Sequence, residues 1–195
     1  MHYQSLIPSP LGDLIAIASD DHLLMLEFAD CEELEAKVSK LLPLVGGVRG
    51  GTQKIPHLAS SFGITRRLEV ADSKPIRGGI ENQILSLTAT QLWEYFEWKR
   101  IEFTIPLSVD GTDFQKDAWK WLEKIPYSET RSYGEQARMI GRDRAVRAIG
   151  GANHNNRIVI IIPCHRVIGA SGKLVGYGGG MERKIWLLEH EKRNR

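Results

Sequence analysis

Alternating hydrophobic and polar positions in the first residues of the chain predict a small antiparallel sheet. Three extended stretches, at residues 2–7, 13–19 and 22–28, are separated by Pro8-Ser9-Pro10-Leu11-Gly12 and by Asp20-Asp21. These residues favour turns: proline restricts the backbone, glycine frees it, and aspartate hydrogen-bonds to it. Strands this short, divided by turns of this kind, indicate consecutive hairpins.

Two longer segments have the hydrophobic spacing of helices, and a segment without any sustained period divides them. The helical segments are residues 31–42 and 81–98, and the segment at about 43–79 is rich in glycine and scattered charge. A helix needs a continuous apolar face, which this middle segment lacks, so a long loop is predicted there. Residues 100–106 look extended and lead into Asp110-Gly111.

Helical spacing dominates the second half of the sequence. A first helix starts near Thr112 and is stopped by Pro126. Two short helices, at residues 133–140 and 144–152, are joined by Gly141-Arg142-Asp143. They have the length and the turn of a helix-turn-helix.

These elements predict an α/β protein of the α+β arrangement, with two domains. The N-terminal domain, residues 1–110, combines the small antiparallel sheet with helix and with the long loop. The C-terminal domain, residues 111–195, is mostly helical and contains the helix-turn-helix and Cys164. The boundary is placed in the loop at Asp110-Gly111 because the pattern changes there from mixed to helical.

The composition is that of a globular protein. Of the 195 residues, 42% are hydrophobic and 26% are charged. No apolar run approaches the roughly 20 residues that span a bilayer, and no basic segment leads into an apolar one at the N-terminus. Cys31 and Cys164 are too few for a disulfide framework and favour a reducing compartment. We therefore expect an intracellular protein that makes no membrane contact.

A metal site is not predicted. His2, His22, Cys31 and His57 are the candidate ligands in the N-terminal half. Their spacing fits none of the paired-ligand patterns by which zinc sites are recognised.

Charge is divided unevenly along the chain. Residues 1–113 contain 10 Lys and Arg against 16 Asp and Glu, whereas residues 114–195 contain 16 against 8. The balances are therefore −6 and +8. A basic second half indicates a polyanion partner such as nucleic acid, although a basic face is also found on ordinary solvated surfaces.

The stretch Pro163-Cys164-His165 is the strongest candidate for chemistry. It follows five aliphatic residues, 158–162, which are interpreted as a strand that Pro163 interrupts. Two interpretations of Cys164 stand at this point. It is an inert small hydrophobe in the core, or its thiolate is a nucleophile that His165 activates.

A terminal helix is predicted from Met181 to about Lys192, and Glu191 lies near its C-terminal end. The helix dipole disfavours a carboxylate at that end unless a cation meets it. His165 is a candidate partner, because a protonated imidazole would supply the positive charge.

The second helix of the helix-turn-helix mixes arginines with very small side chains. It reads Arg144-Ala145-Val146-Arg147-Ala148-Ile149-Gly150-Gly151-Ala152. Small residues let a helix approach a surface closely, and arginine suits phosphates or insertion into a base stack. A tightly packed core helix with two surface arginines would have the same composition, so both interpretations stand.

Several ordered motifs together resemble the 6-O-alkylguanine-DNA alkyltransferases. The motifs are Gly111-Thr112-x-Phe114-Gln115, Ile125-Pro126-Tyr127, Ser132-Tyr133-Gly134, Arg147-Ala148-Ile149-Gly150, Pro163-Cys164-His165-Arg166-Val167, Gly176-Tyr177-x-Gly179-Gly180 and Lys184-x-x-Leu187-Leu188. They match in order and spacing over nearly all of residues 90–195. Ser9-Pro10-Leu11-Gly12 also resembles the family's N-terminal domain, more weakly.

The resemblance implies a single-turnover methylated-DNA–protein-cysteine S-methyltransferase. Such a protein irreversibly transfers the alkyl group of 6-O-methylguanine, and of 4-O-methylthymine, from duplex DNA to Cys164 after nucleotide flipping. The alkyl donor is the DNA, so no cofactor is implied. The implied partner is double-stranded DNA carrying alkylated guanine. The protein would bind it as a monomer, and cooperative binding along the DNA is an open alternative. Its compartment would be the cytoplasm and nucleoid, or the nucleus of a eukaryote.

The resemblance also implies catalytic roles. Cys164 would be the acceptor, His165 would take its proton directly or through a water, and Glu191 would orient and charge the imidazole. Tyr133 would hold a backbone phosphate or help to protonate the departing guanine. Asn156 would brace the active-site turn.

A DNA-binding face and a pocket for the flipped base are implied as well. Arg147 would enter the duplex and fill the gap left by the rotated nucleotide. The residues assigned to DNA binding are Arg147, Ala148, Tyr133, Ser132, Gly150, Arg144 and Arg166. Those assigned to the base pocket are Val167, Ser171, Tyr177, Gly178 and Lys184.

The chain departs from the family pattern at three places. Arg142-Asp143 and Asn156-Arg157 stand where the family has Asn-Pro, commonly at the first position and often at the second. Losing both prolines predicts looser turns and added positive charge near the DNA face. Gly178 stands where some relatives have serine, so one hydrogen bond to the base is not expected.

Two other classes of function remain open. In a helix-turn-helix regulator or lesion sensor, Cys164 would only pack. Relatives that bind lesions without repairing them lack the acceptor cysteine, which this chain has. A cysteine hydrolase would use Cys164 and His165 on another substrate, and the basic second half would then be unexplained.

Overall fold

The computed structural model describes residues 2–41 and 82–194. The loop predicted at about residues 43–79, and with it His57, lies outside this part of the chain. Among the described residues, every helix is too short or too polar to span a lipid bilayer.

The N-terminal sheet has three strands in chain order, all antiparallel. They are β1 (Tyr3–Ile7), β2 (Leu14–Ala18) and β3 (Leu23–Phe28). Leu14 of the central strand lies opposite both Ile7 and Phe28, and all three side chains are buried. The predicted sheet is confirmed, because the alternation places one row of apolar side chains against the core.

Two helices accompany the sheet, α1 (Leu34–Leu41) and α2 (Gln83–Phe96). The first begins three residues later than predicted, since Leu34 N–H bonds to the Cys31 carbonyl in a preceding turn, at 3.0 Å. The Asn82 side chain caps α2 by accepting from Leu85 N–H, at 2.9 Å, and its amide donates to the Ser19 carbonyl. This cap ties the start of α2 to the sheet.

The second half contains four helices and a short parallel ladder. The helices are α3 (Asp113–Leu122), α4 (Tyr133–Met139), α5 (Val146–His154) and α6 (Met181–Arg193), and the ladder pairs β4 (Arg131–Ser132) with β5 (Val167–Ile168). Thr112 and Ser132 each form a capping box with the residue three positions on. The predicted mostly helical second half is therefore confirmed within one or two residues at most ends.

Buried residues from both halves share one hydrophobic cluster. Leu26 and Phe28 of the sheet, Tyr95 of α2 and Trp119 of α3 belong to the same cluster as the aliphatic residues 158–162. The Trp119 indole also donates to the Ala152 carbonyl of α5, at 2.9 Å. The division into domains at residue 110 stays a prediction, since the core runs across it.

The aliphatic run before Cys164 is not the strand that its composition predicts. Ile158 makes one bridge to Leu26 of β3, and the chain then turns at Ile160, whose φ is +71°. Left-handed backbone at a β-branched residue costs about 1–3 kcal/mol and persists only where the surroundings fix it. Residues 158–162 are all buried, which accounts for the apolar composition of the turn. The turn therefore begins before Pro163 rather than at it.

Candidate active site

Asn156 holds both ends of this buried turn and touches the thiol. Its side-chain oxygen accepts from Ile158 N–H at 3.0 Å, and its amide donates to the Ile162 carbonyl at 2.8 Å. The same amide nitrogen lies 3.2 Å from Cys164 Sγ. The geometry is that of a brace for the turn.

The Cys164 thiol is set into the protein at the start of a 3-10 turn, Cys164–Arg166, and is only 7% exposed. Burial raises the pKa of Cys164 to about 11, although the hydrogen bond from Asn156 and the nearby Lys184 act in the opposite direction. The thiol is therefore protonated at neutral pH, and attack by sulfur requires a base.

His165, the residue after Cys164, forms a fully buried pair with Glu191, with His165 Nε2 at 2.9 Å from Glu191 Oε1. Burial lowers the pKa of His165 below its ordinary value, although Glu191 acts against this shift. A neutral imidazole facing a carboxylate carries its hydrogen on Nε2, so the lone pair is on Nδ1. Nδ1 is buried and has no hydrogen-bond partner among the described residues.

Arg166 lies inside the protein, only 6% exposed, which corrects its predicted role in DNA binding. Its guanidinium makes two hydrogen bonds to Glu191: Nε donates to Oε2 at 3.0 Å, and Nη2 donates to Oε1 at 2.9 Å. Nη1 donates to the Ile125 carbonyl. Burial alone would raise the pKa of Glu191, but His165 and Arg166 outweigh it and hold that pKa well below its usual range. The arginine faces inward because a buried carboxylate requires a cation.

Lys184 has a structural position instead of the predicted place in the base pocket. It is fully buried, and its Nζ donates to the carbonyls of Val167, at 2.7 Å, and Val175, at 2.9 Å. Burial lowers the pKa of Lys184 to about 8, with Cys164 acting against the shift. The Gly176 carbonyl is a third acceptor of the same ammonium. Lys184 thus connects β5 to the glycine-rich loop, because these buried carbonyls need a hydrogen-bond donor.

A cavity of about 460 Å³ leads from the helix-turn-helix to the thiol. It is lined by Tyr133, Val146, Arg147, Gly150, Asn153, His154, Cys164, Val175, Gly176, Tyr177 and Gly178. Two residues predicted to line the base pocket lie elsewhere: the Val167 side chain is buried in the core, and Ser171 is exposed on a turn away from the lining. Their positions follow from β5, which directs the first inward, and from the exposed turn that follows it.

Two tyrosines give the cavity hydroxyl donors. Tyr133 donates to the Val175 carbonyl at 3.3 Å, and burial raises its pKa. Burial, with the charge of Cys164, raises the pKa of Tyr177 well above its ordinary value. The Tyr177 hydroxyl is buried and has no partner within the described part of the chain. Both phenols therefore stay protonated at neutral pH. The Tyr177 hydroxyl can donate to a ligand as it stands, whereas Tyr133 must first release the Val175 carbonyl.

One face of α5 packs and the other is exposed, so both interpretations of this helix hold in part. Ile149 and Ala152 are buried, whereas Arg147 and Ala148 are exposed, as is Arg144 in the preceding turn. Ser132, predicted to contact DNA, uses its hydroxyl to cap α4, where it accepts from Glu135 N–H at 3.1 Å.

Sequence reasoning missed two groups that hold Glu191. Tyr95 donates from its hydroxyl to Oε1 at 2.9 Å, and Ser128 N–H donates to Oε2 at 3.0 Å. Tyr95 was identifiable only as an apolar position of a predicted helix. No sequence signal distinguishes it from other core aromatics.

A helix-turn-helix with an exposed basic face opens onto a cavity whose wall contains a thiol, and the next residue in the chain is a histidine paired with a buried carboxylate. This combination defines a class of DNA-modifying protein with a cysteine nucleophile. Residues 2–109 match the family model described as 6-O-methylguanine DNA methyltransferase, ribonuclease-like domain, and residues 113–193 match the DNA binding domain of the same family. The chain belongs to the 6-O-methylguanine DNA methyltransferase family.

Curated relatives and solved structures agree with this membership. A methylated-DNA–protein-cysteine methyltransferase of Mycobacterium leprae is 49% identical over 139 residues, covering 69% of this chain and 84% of the relative. One from Mycobacterium bovis is 61% identical over 102 residues, covering 52% of this chain and 62% of the relative.

The crystal structure of Mycobacterium tuberculosis O6-methylguanine methyltransferase has a TM-score of 0.70 at 37% identity and covers 100% of this chain and 95% of that one. The structure of Mycobacterium tuberculosis OGT in complex with DNA has a TM-score of 0.70 at 38% identity and covers 97% and 92%.

Proposed function

We propose that this protein repairs alkylated DNA by moving the alkyl group of 6-O-methylguanine in duplex DNA onto its own Cys164. The observation that carries the proposal is the position of Cys164 in the wall of a cavity beside the helix-turn-helix, followed in the chain by His165, which pairs with Glu191. Membership in the family and the DNA complex of a relative support it.

DNA binds on the exposed face of α5. Arg144 and Arg147 meet phosphates or the base stack, while Ala148 and Gly150 let the helix approach closely. The contacts are mainly with phosphates, so affinity has little sequence preference and falls as salt rises. One protein molecule binds one lesion as a monomer.

The damaged nucleotide rotates out of the duplex, because its alkylated oxygen is unreachable inside a paired stack. Arg147 fills the gap, and the base enters the cavity, where Tyr133 and Tyr177 offer hydroxyl donors. 4-O-methylthymine presents the same methyl ether beside a ring nitrogen and is a second substrate.

The chemistry is one displacement at the methyl carbon. His165 Nδ1 takes the Cys164 proton through one water molecule, while Glu191 stabilises the imidazolium that forms. Sulfur attacks the methyl carbon, the carbon–O6 bond breaks, and its electron pair leaves with guanine. The departing base takes a proton, for which the Tyr133 hydroxyl is the donor. The thioether is stable, so each molecule acts once, and the reaction takes place in the compartment that holds the DNA.

The decisive experiment incubates the protein with a duplex that contains 6-O-methylguanine and maps the modified peptide by mass spectrometry. One methyl group on the Cys164 peptide, absent in Cys164→Ser and retained in the matched control Cys31→Ser, is expected. Bound DNA with an unmodified thiol would contradict transfer and support a lesion sensor. Repeated turnover on another substrate would support a hydrolase.

A further inference from the structure

We propose that Tyr95, from the N-terminal half of the chain, is a positioning residue for the alkyl-transfer step. It sets the direction and the charge of the Glu191 oxygen that faces His165. This inference rests on the proposed function, because it concerns the base that serves Cys164.

Tyr95 hydrogen-bonds to the same Glu191 oxygen, Oε1, that faces His165. Its hydroxyl lies 2.9 Å from Oε1, and His165 Nε2 lies 2.9 Å from the same oxygen. Burial, and then the Glu191 charge, raise the pKa of Tyr95 well above its ordinary value, so the hydroxyl is always a donor. The phenol, the imidazole and Arg166 Nη2, also at 2.9 Å, therefore share one acceptor.

The Tyr95 side chain is held rigidly from several directions. It is fully buried, with Phe96 edge-on at 5.3 Å and Tyr127 edge-on at 6.2 Å between ring centroids. Its backbone carbonyl accepts from His190 Nε2 at 3.0 Å. Consecutive residues of α6, His190 and Glu191, thus hold the carbonyl and the hydroxyl of one tyrosine.

His190 is itself fixed by a sandwich of two indoles. Its ring stacks on Trp98 at 5.2 Å and 17°, and on Trp186 at 4.7 Å and 12°. Trp98 follows the end of α2 and Trp186 lies on α6, so the sandwich fastens these two helices together. The distance from Tyr95 to Glu191 is therefore set by packing and not by a flexible side chain.

The remaining partners of Glu191 show why the hydroxyl acts on the chemistry and not only on the fold. Oε2 is already fixed by Ser128 N–H and by Arg166 Nε, each at 3.0 Å. Arg166 also neutralises the charge, so the carboxylate stays buried and paired without Tyr95. What the hydroxyl changes is how much of the Oε1 charge is left for His165. Without it, His165 meets a stronger but less directed acceptor, and its pKa rises.

The test compares Tyr95→Phe with wild type in single-turnover methyl transfer from a 6-O-methylguanine duplex, across the range in which histidine titrates. The rate constant should fall by about tenfold or more, since tenfold is the lower end of what one hydrogen bond to a charged group contributes. The midpoint of the pH–rate profile should move to higher pH, because neutral His165 is the active form. DNA affinity should not change.

Phe96→Leu is the matched control, since it loosens the same aromatic cluster and leaves the hydroxyl in place. It should lower the unfolding temperature without moving the pH midpoint. A folded Tyr95→Phe protein with the wild-type rate and midpoint would overturn the proposal, as would an equal midpoint shift in Phe96→Leu. Absence of methyl transfer in wild type would overturn the proposed function itself, and a normal wild type beside an unaffected Tyr95→Phe would overturn only the role of Tyr95.

Discussion

Asn156 and Cys164 are joined by a hydrogen bond of 3.2 Å, and the amide that makes it also holds the Ile162 carbonyl at 2.8 Å. The thiol is therefore coupled to the turn that presents it. A change at Asn156 acts on the reactivity of the sulfur and on the stability of the fold together.

We expect Asn156→Ala to lower the free energy of unfolding by about 2–3 kcal/mol, because it leaves buried backbone groups at both ends of the turn without partners. Methyl transfer should slow as well, since the thiol loses the donor that opposes its raised pKa. Urea unfolding and single-turnover kinetics measure the two effects. Asn155→Ala, at the exposed neighbouring position, should change stability by less than about 0.5 kcal/mol. Equal effects of the two variants would show that the brace is unimportant.

Arg166 and Arg147 should separate folding from DNA binding. Arg166→Gln leaves buried Glu191 without its cation and should cost about 3–5 kcal/mol of stability. Arg147→Gln should leave stability unchanged and weaken DNA binding, with the slope of log affinity against log salt reduced by about 0.9 if one phosphate contact is lost. Thermal unfolding and DNA titration at several salt concentrations provide the readouts. A wild-type stability of Arg166→Gln would be inconsistent with the inward position of this side chain.

Stability should fall on the acid side in two stages. The pKa of buried His165 lies below its ordinary value of 6.5, so below that pH the unfolded state binds more protons and the folded state loses stability. The pKa of Glu191 lies below its ordinary value of 4.5, so a second loss follows as pH falls below 4.5. Urea unfolding as a function of pH should show both stages. His165→Asn should lack the first stage. If the first loss of stability persists in this variant, another group is responsible for it.

Adjacent glycines in the loop over the cavity should respond differently to a methyl group. A Cβ at Gly179 would lie 2.7 Å from the Phe28 ring and 2.8 Å from Tyr177, whereas one at Gly178 would lie 3.7 Å from the His154 carbonyl. Gly179→Ala should therefore cost about 1–3 kcal/mol and slow methyl transfer by displacing Tyr177. Gly178→Ala should retain near wild-type transfer. Similar rates for the two variants would contradict the close packing at Phe28.

Local features of the chain were predictable from the sequence because they depend on neighbours a few residues apart. The three strands, the helix-turn-helix and the helix that carries Glu191 follow from hydrophobic spacing and turn residues. The run at 158–162 was misread because apolar composition reports burial, and a buried turn is as apolar as a buried strand.

The sequence predicts His165 as a partner of Glu191, but the other partners of Glu191 were beyond reach of that reasoning. Tyr95 lies 96 residues before it, Ser128 63 residues and Arg166 25 residues. Nothing local tells whether an arginine beside a histidine faces solvent or a buried carboxylate. The resemblance implies DNA and base-pocket roles for Arg166 and Lys184, whereas their buried positions depend on a carboxylate and on carbonyls far away in the sequence.

The wide separation of these partners also sets an order of events during protein synthesis. Tyr95, Ser128 and Cys164 are all synthesised before Glu191, which is added 96 residues after Tyr95 and 63 after Ser128. Until α6 docks, a nascent chain holds the thiol without an oriented base beside it. The carboxylate that orients His165 is therefore in place only once α2 and α6 have docked.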